Sequence, residues 1–500
     1  MPIEEGARLS GWFDIPNDRR VLGSLTLNGS NTQLYVHDPE FFHTTSPEHG
    51  HLLGTLHDLT RVSLFDCITT SGPGSASSGN EGYTFAELFP HFVVYGARHL
   101  GAHEAAISRV SFTIDDADVL FHDAEAFGQV SEPSKLIERV VNRDHAHEEP
   151  PFGPNPLIAY FAGRTELLSA ATTIGTVTAS HRPVRINSSP KRVAIENQTY
   201  LTIDPNEPID LSDAISRVLR LLQFLELLIG RPQNISNLGL RLRASKEGGD
   251  YLGVYWCMPP FRSAEAEHPR PGPYEMLIDP IRSRAEFETV LSSWLARDGE
   301  RRDARERFSD AFELQRRYTI DRLVGAANMF DILPIDAVPG KVCLSKGLVD
   351  AKSAARHIFR GLPASPERDS VLGALGRLGI STLRDKVQHR ARLLTERAPG
   401  MFPRLDEMVA EAVRCRNHYV HGSPGSFSYA ANSDMVATLT NILEFIFGAS
   451  ELVEAGWNIE QWSSRGSSGR HPFGALKTAY PQHLSRLDEL LGASVSESDG

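Results

Sequence analysis

The stretch EAVRCRNHYVHG, residues 411–422, predicts the C-terminal end of a helix. Pro403 and two acidic residues after it suit a first helical turn, so the helix is expected to start near Phe402. Gly422 is followed by Ser-Pro-Gly, which predicts that the helix ends there. The apolar residues expected to face a core recur close to helical spacing and are Met408, Val409, Ala412, Val413 and Val420.

Arg416 and His421 fall in the last turns of this helix. The exposed carbonyls at a helix C-terminus carry partial negative charge, which favours an imidazolium and suits a histidine to proton transfer. The arginine adds a planar, permanently charged fork that fits phosphate oxygens. The pair is typical of phosphodiester chemistry.

The spacing of these two residues also predicts an assembly. Five positions at 100° each place the side chains about 140° apart and about 7.5 Å apart along the axis, so one helix would grip a phosphate poorly. Two copies facing each other across a two-fold axis would bring two arginines and two histidines around one bond. We therefore expect a homodimer.

Arg416, Asn417 and His421 form an Arg-Asn-x3-His pattern within a helix that ends in Tyr-Val-His-Gly. The pattern resembles the signature of HEPN domains, the helical RNases of prokaryotic defence and toxin systems. The opening of the chain, with Phe13-x-x-Pro16 and Gly-x-Leu at residues 23–25, is similar to the start of ApeA proteins, which are anti-phage HEPN proteins.

The spacing of arginine and histidine alone is not specific, because it recurs at Arg98/His103 and at Arg384/His389. The third instance differs in the asparagine after the arginine, in a second histidine, His418, and in the glycine that ends the helix.

The resemblance implies a metal-independent endoribonuclease that needs no cofactor and acts in anti-phage defence by arresting the growth of the infected host. Arg416, Asn417 and His421 would be catalytic, and the products would carry a 2′,3′-cyclic phosphate and a 5′-hydroxyl. From their position, His418 and Tyr419 are expected to line the path of the RNA substrate.

The fold class expected is α+β, with a β-rich N-terminal domain containing inserted helices and an all-α, HEPN-like bundle after it. Short alternating runs separated by turn residues dominate residues 1–295, and helical periodicity replaces them from about residue 285. A hinge-like Glu-Glu-Pro-Pro near residue 150 would divide the first domain in two. The helical domain is expected at 300–492, with one long helix over 301–330, and a disordered tail at 493–500.

Charge is distributed unevenly along the chain. Residues 1–299 carry 25 Lys and Arg against 38 Asp and Glu, whereas residues 351–400 carry ten basic residues against four acidic ones. The second stretch is a candidate RNA-facing surface. Arg384 and Arg390 are the residues we assign to substrate binding, among the basic residues Arg377, Arg384, Lys386, Arg390, Arg392 and Arg397. Solvated basic faces of two helices are the alternative.

Four cysteines stand far apart without a CxxC pair, and no run of 18 apolar residues occurs. These features favour a cytoplasmic protein without a membrane partner. An RNase that cuts host RNA must be restrained, and we expect the acidic N-terminal domain to do this and to sense a phage-derived trigger. Two alternatives remain open: a non-catalytic dimeric adaptor or ligand sensor, and a metal-dependent hydrolase that uses histidine pairs in the N-terminal half.

Overall fold

The computed structural model describes residues 5–15, 19–37, 50–78, 81–137, 139, 155–189, 191–243, 251–259, 270–314, 317–340, 344–466 and 469–498. The chain divides into two units. The sheet unit comprises Met1–Leu222, Gln233–Ser263 and Asp279–Glu288, and the helical unit comprises Gln223–Pro232, Ala264–Ile278 and Thr289–Gly500. The hinge expected near residue 150 lies outside the described residues.

The sheet unit is built on a 14-stranded antiparallel sheet with the order β12-β13-β14-β9-β15-β16-β8-β5-β4-β1-β2-β3-β7-β6, and β10 pairs with β11 separately. In chain order the strands are β1 Arg8–Ile15, β2 Arg19–Thr26, β3 Gln33–His37, β4 His51–Leu56, β5 Arg61–Phe65, β6 Ile68–Ser78, β7 Glu81–Phe89, β8 Phe92–Gly96, β9 Ile107–Ile114, β10 Phe127–Val130, β11 Ile158–Phe161, β12 Glu166–Thr172, β13 Gly175–Ser189, β14 Arg192–Asp204, β15 Ile235–Leu242 and β16 Tyr251–Trp256.

Alternation along these strands gives the sheet its buried face. In β2, Val21 and Leu25 are buried while Leu22 is half-exposed, because successive side chains point to opposite faces. Phe13 of β1 lies in the same core and is fully buried. The α+β class and the antiparallel N-terminal sheet expected from the sequence are confirmed.

Helices make up the rest of the fold. In chain order they are α1 Ala117–Leu120, α2 Leu211–Ile229, α3 Arg284–Ala296, α4 Asp298–Glu313, α5 Ile320–Asn328, α6 Lys346–Arg360, α7 Pro366–Arg377, α8 Leu383–Arg397, α9 Leu405–His421, α10 Ser433–Ala455, α11 Ile459–Ser464 and α12 Pro472–Ser498. The C-terminal region is therefore helical, as the sequence predicts.

Helix α10 is the centre of the helical unit, where it contacts α4, α5, α8, α9 and α12. It is long and apolar enough to cross a membrane, but most of it is buried by these neighbours. It also carries two buried carboxylates, Glu444 and Glu451, which form ion pairs with arginines of other helices. These features are those of the core helix of a bundle.

Glu451 holds three arginines of the unit together. Its Oε1 accepts hydrogen bonds from Arg301 at 2.6 Å and Arg390 at 2.8 Å, and its Oε2 accepts two from Arg305, at 2.8 Å and 3.0 Å. The side chain of Glu451 and those of all three arginines are buried. Burial alone would raise the pKa of Glu451, but the three positive charges outweigh it and the pKa lies below its usual value.

Three details of the helical part differ from the sequence expectations. The single helix predicted over 301–330 is two helices, α4 and α5, because the Thr319 side chain accepts the Arg322 N–H and starts a new helix. The helical unit begins at Thr289, a few residues before the domain boundary expected at 295–300, and Phe224 near the end of α2 packs on Trp294 within this unit. Helix α12 runs to Ser498 and so extends into the tail expected to be disordered.

His471, just before α12, gives the helical unit a pH-dependent stability. Its Nε2 donates to the Leu227 carbonyl at 3.2 Å and its Nδ1 accepts the Phe473 N–H at 3.1 Å, an arrangement that only the neutral ring can make. Burial lowers its pKa from 6.5 to about 4. Between these two values the unfolded chain binds the extra proton, so the free energy of unfolding should fall by about 3 kcal/mol as the pH falls from 6.5 to 4.

Urea unfolding followed by helical circular dichroism at pH 7 and pH 4.5 measures this contribution. The variant His471→Asn, which keeps a side-chain acceptor before the helix, should lose that part of the pH dependence. An identical pH dependence in the variant and the unchanged chain would contradict the prediction.

Candidate active site

Helix α9 presents the Arg-Asn-x3-His residues at its C-terminal end. It begins at Leu405 and not near Phe402, because Arg404 has a left-handed backbone with φ of 56° and interrupts the helical path. It ends as predicted: Gly422 has φ of 67° and its N–H bonds to the His418 carbonyl at 2.9 Å. Val420, expected in the core, is 41% exposed.

The side chains of Arg416 and His421 meet within one chain. Nη1 of Arg416 donates a hydrogen bond to Nε2 of His421 over 3.1 Å. Sequence reasoning placed the two apart because it counted backbone positions only. The arginine side chain is long enough to run along the axis to the histidine. The geometric reason for expecting two chains around one phosphate is therefore lost.

This contact is compatible with only one arrangement of the ring proton of His421. A guanidinium can only donate, so the hydrogen bond requires an unprotonated Nε2 and places the ring proton on Nδ1. The lone pair that a general base uses therefore faces the arginine. His421 is exposed and Arg416 is half-buried, so the pair lies at the surface of the unit.

Two asparagines hold the guanidinium in place. Asn417 accepts from Nη1 of Arg416 at 3.1 Å, and Asn328, the last residue of α5, accepts from Nη2 at 3.0 Å. The Nε–H of Arg416 is buried and has no hydrogen-bond partner among the described residues. One edge of a positively charged fork is thus left without an acceptor, which is an unusual state for a buried donor.

His418 and Tyr419 are bound into the loop that follows the helix. Nδ1 of His418 donates to the Ser423 carbonyl at 2.8 Å, and its ring packs edge-on against Tyr419 and Tyr429. The Tyr429 hydroxyl in turn donates to the buried Glu411 carboxylate at 2.6 Å. Burial raises the pKa of Tyr429, with the nearby Glu411 adding to the effect. These contacts fix the loop beside the Arg416–His421 pair.

Cys415, between the site residues, is an inert thiol. It is fully buried, and burial raises its pKa to about 12, so it supplies no thiolate nucleophile.

Arg390 is wrongly assigned to substrate binding. It is completely buried and its guanidinium is occupied by Glu451, Glu454 and Ser450, at 2.6–2.8 Å. The sequence showed that Arg390 belongs to a basic stretch, but it could not show that this residue lies on the face of α8 that packs into the core. Arg384, the second residue of the same helix, is exposed, and its role in substrate binding stays a prediction.

The other basic residues of this stretch differ in their surroundings. Lys386 is paired with Asp331 at 2.9 Å, three residues after Asn328, which places the first turns of α8 near the site. The remaining members are exposed, namely Arg377, Arg392 and Arg397. Within the described ranges, no group of three or more His, Cys, Asp or Glu side chains is arranged to hold a metal ion.

Sequence reasoning missed Asn328 and Glu411. Asn328 lies 88 residues before Arg416 and no local pattern marks it. Glu411 carries a weak signal, because a carboxylate stands on the helix face that otherwise buries Met408, Ala412 and Cys415.

Comparison with known families identifies the chain. The model of ApeA N-terminal domain 1 matches residues 8–294, and the model of the Apea-like HEPN domain matches residues 324–461. The chain belongs to the ApeA family. No curated protein and no solved structure matches it.

The HEPN match gives this ApeA protein a general nuclease or defence role. Both Asn328 and the complete Arg416–His421 pair fall inside the matched HEPN segment. The contact between them therefore belongs to a single domain of the ApeA chain.

Asn328 is predicted to be a positioning residue that acts through Arg416. For the ribonuclease activity that is proposed below, Asn328→Ala should lower kcat about tenfold with KM nearly unchanged, since a lost hydrogen bond to a charged group is worth roughly 1.5–3 kcal/mol. Asn328→Asp keeps an acceptor of the same shape and should retain more activity than the alanine variant. Steady-state cleavage of a labelled RNA and the melting temperature of each variant test this. Equal kcat in the unchanged chain and Asn328→Ala would rule out the role.

Proposed function

We propose that the chain is an anti-phage endoribonuclease that cleaves RNA without a metal ion or other cofactor and arrests growth of the infected host. The observation that supports this most is the Arg416–His421 contact of 3.1 Å at an exposed helix end. It pairs a general base in its unprotonated form with a cation suited to phosphate. We also propose that the enzyme works in the cytoplasm.

The mechanism we propose uses the 2′-hydroxyl of the RNA as the nucleophile. A phosphate oxygen draws the Arg416 guanidinium toward itself and gives its unpaired donor an acceptor. Nε2 of His421 is then free to take the proton from the 2′-hydroxyl, whose oxygen attacks phosphorus. The bond to the 5′-oxygen breaks, and the products carry a 2′,3′-cyclic phosphate and a 5′-hydroxyl.

Arg416 supplies the electrostatic part of the catalysis. Negative charge accumulates on the non-bridging oxygens as the fifth bond forms, and a fixed donor there typically removes about 3–4 kcal/mol of the barrier. Asn417 and Asn328 hold the guanidinium beside His421, so only a small displacement brings it from the histidine to the phosphate. His418 and Tyr419 would line the path of the RNA, and Arg384 would contact its backbone.

RNA and DNA of the same sequence, incubated with the purified chain in excess EDTA, test the proposal. Cleavage of RNA alone, with cyclic phosphate ends, is the expected result. Cleavage of DNA would exclude a mechanism that depends on the 2′-hydroxyl, and loss of cleavage in EDTA would show that a metal ion is needed.

We also propose that the chain works as a homodimer. The transesterification needs an acid for the departing 5′-oxygen as well as a base. Within one chain His418 lies one turn before His421, but its Nδ1 is held by the Ser423 carbonyl. A second copy would provide another His421, which must be protonated to give the departing 5′-oxygen its proton.

Mixing two inactive variants tests whether arginine and histidine act from the same chain. Since the structure pairs them within one chain, a mixture of Arg416→Ala and His421→Ala should stay below roughly a tenth of full activity. Unchanged chain mixed with Arg416→Ala should keep activity, because that dimer retains one complete Arg416–His421 pair and a second His421. Light scattering establishes that mixed dimers form. Recovery of activity in the first mixture would place the working arginine and histidine on different chains.

The N-terminal domain, in this proposal, restrains the nuclease until a phage-derived trigger binds. Its net charge of −13, over residues 1–299 with 25 basic and 38 acidic residues, disfavours RNA as its own ligand. A domain that does not bind RNA is available to recognise a different ligand, such as a phage-derived trigger.

A further inference from the structure

Helices α6 and α7 form a hairpin in which no residue is fully buried. Every side chain of Lys346–Arg360 and of Pro366–Arg377 is exposed or half-buried, although the two helices contact each other. Both helices are well defined, because a serine caps each of them, Ser345 for α6 and Ser365 for α7. Two capped helices without a buried residue add little to the core of the unit, so packing within one chain does not explain them.

Helix α6 carries two rows of mainly apolar residues, and only one of them is covered. Lys352, Ala355 and Phe359 are half-buried, and Nζ of Lys352 donates to the Leu378 carbonyl at 2.7 Å, so this row faces α7. The second row lies about 100° away around the helix and is exposed. Its members, here called the α6 seam, are Gly347, Ala351, Ala354 and Ile358.

The α6 seam has the spacing of a helix that packs on another helix. Its steps of four, three and four residues are those of the a and d positions in a heptad. Its small residues let a second helix approach closely, whereas a helix lying on a membrane presents a broad face of leucine, phenylalanine and tryptophan. Large apolar side chains that are about half-exposed stand at its two ends, namely Leu348, Ile358 and Leu362. The seam therefore fits another helix.

Asp350 and His357 identify that helix as a second copy of α6. Both are exposed and flank the seam on the side away from α7, and neither side chain has a hydrogen bond or ion pair within the described part of the chain. A two-fold axis perpendicular to α6 brings the same flank of two copies together with their directions reversed. Because the two residues lie on opposite sides of the middle of the seam, each carboxylate then faces the imidazole of the second copy. A parallel pair would place both groups against apolar residues.

We infer that two copies of the chain associate through the α6 seam with their α6 helices antiparallel. The face of one 15-residue helix measures only about 22 by 10 Å, and a stable interface buries roughly 800 Å² per partner, so α7 has to contribute. It is placed to do so, because it lies on the remaining flank of the seam and the same axis brings the two α7 helices together. The interface is then a bundle of four helices.

The biological role of this interface rests on the proposed function, which calls for a second copy, but the surface itself is inferred from the hairpin alone. The experiment therefore measures association and records RNA cleavage separately. A monomeric seam variant that cleaves RNA at the full rate would support the interface and end the requirement for a dimer. Dimers that depend on the seam but cleave no RNA would support the interface and end the ribonuclease proposal.

Sedimentation equilibrium of the full chain and two variants tests the surface. Ile358→Asp places a carboxylate from each copy on the seam and should raise the dissociation constant of the dimer at least about tenfold. Ser353→Asp adds the same charge at an exposed position of α6 away from the seam, and it should change that constant less than about twofold. Neither residue is buried, so both variants should keep the melting temperature of the unchanged chain.

Cysteines at the flanking positions test the direction of the helices. All variants carry Cys343→Ser, which leaves three cysteines that are buried. A mixture of Asp350→Cys and His357→Cys should form disulfide-linked dimers under mild oxidation, visible on a non-reducing gel. Either variant alone should form at least about fivefold fewer, because two copies of one position lie about 10 Å apart along the helices and a disulfide spans less than about 7 Å.

Three results would overturn the inference. The first is an unchanged chain that stays monomeric, or a dimer that Ile358→Asp leaves intact. The second is a mixture of the two cysteine variants that links no better than either variant alone. The third is a monomeric chain that binds phosphatidylglycerol vesicles and loses this binding in Ile358→Asp, which would assign the seam to a membrane surface instead.

Discussion

Replacing either Arg416 or His421 by alanine should abolish RNA cleavage while the chain stays folded. Loss of the guanidinium removes about 3–4 kcal/mol of transition-state stabilisation, a decrease of roughly 10²–10³ in kcat. Loss of the general base removes roughly 10²–10⁴. Both side chains lie at the surface of the helical unit, so their removal should leave the melting temperature nearly unchanged. Rates of cleavage of a labelled RNA under single-turnover conditions measure both effects.

The matched control is His103→Ala. Arg98 and His103 have the same spacing as the catalytic pair, but they lie in the sheet unit, where Arg98 is bonded to Glu104 at 2.5 Å. This variant should cleave RNA at the rate of the unchanged chain. Full cleavage by Arg416→Ala and His421→Ala would end the proposal of a nuclease at this site. Loss of cleavage in His103→Ala would show that the catalytic histidine had been assigned to the wrong Arg-x4-His pair.

The variant Glu451→Gln should lose much of the stability of the helical unit. The substitution removes the negative charge on which Arg301, Arg305 and Arg390 converge and leaves three buried cations with too few counter-charges. Breaking a buried ion pair by removing one partner costs about 3–5 kcal/mol. For a unit of this size the melting temperature should fall by roughly 10 °C.

Thermal unfolding followed by helical circular dichroism measures this loss. Glu460→Gln, an exposed glutamate on α11, is the control and should shift the melting temperature by no more than about 2 °C. If Glu451→Gln melted with the unchanged chain, the three arginines would have to be satisfied by other groups, and Glu454 would be the first to examine, since it already bonds to Arg301 and Arg390.

Much of the secondary structure follows from local sequence. The alternation in the first strands and the shift to helical periodicity near residue 285 predicted the β-rich and helical parts, because burial of one face imposes a period on each element. The end of α9 at Gly422 was also predictable, since glycine adopts the left-handed backbone at little cost. The break between α4 and α5 was not predicted, because helical periodicity continues on both sides of it and the N-cap at Thr319 is a weaker local signal.

The sequence-based prediction of RNA-binding residues failed mainly where a charged side chain is buried. Arg390 and Arg384 belong to the same basic stretch of sequence. The sequence alone did not show that Arg390 is fully buried and Arg384 exposed. Its burial depends on Glu451, 61 residues further along the chain. Val420 was predicted to be buried and is exposed. An apolar residue in the last turn of a helix can lie beyond the edge of the core.

The sequence by itself determined which groups are available for catalysis: Arg416, Asn417 and His421 on one helix that must end at Gly422. These are consequences of side-chain chemistry and of backbone preferences over a few residues. Only the tertiary structure decided that the guanidinium reaches His421 within one chain and that Asn328 supports it from another helix. Long side chains and distant segments meet through packing, and packing depends on the whole unit at once.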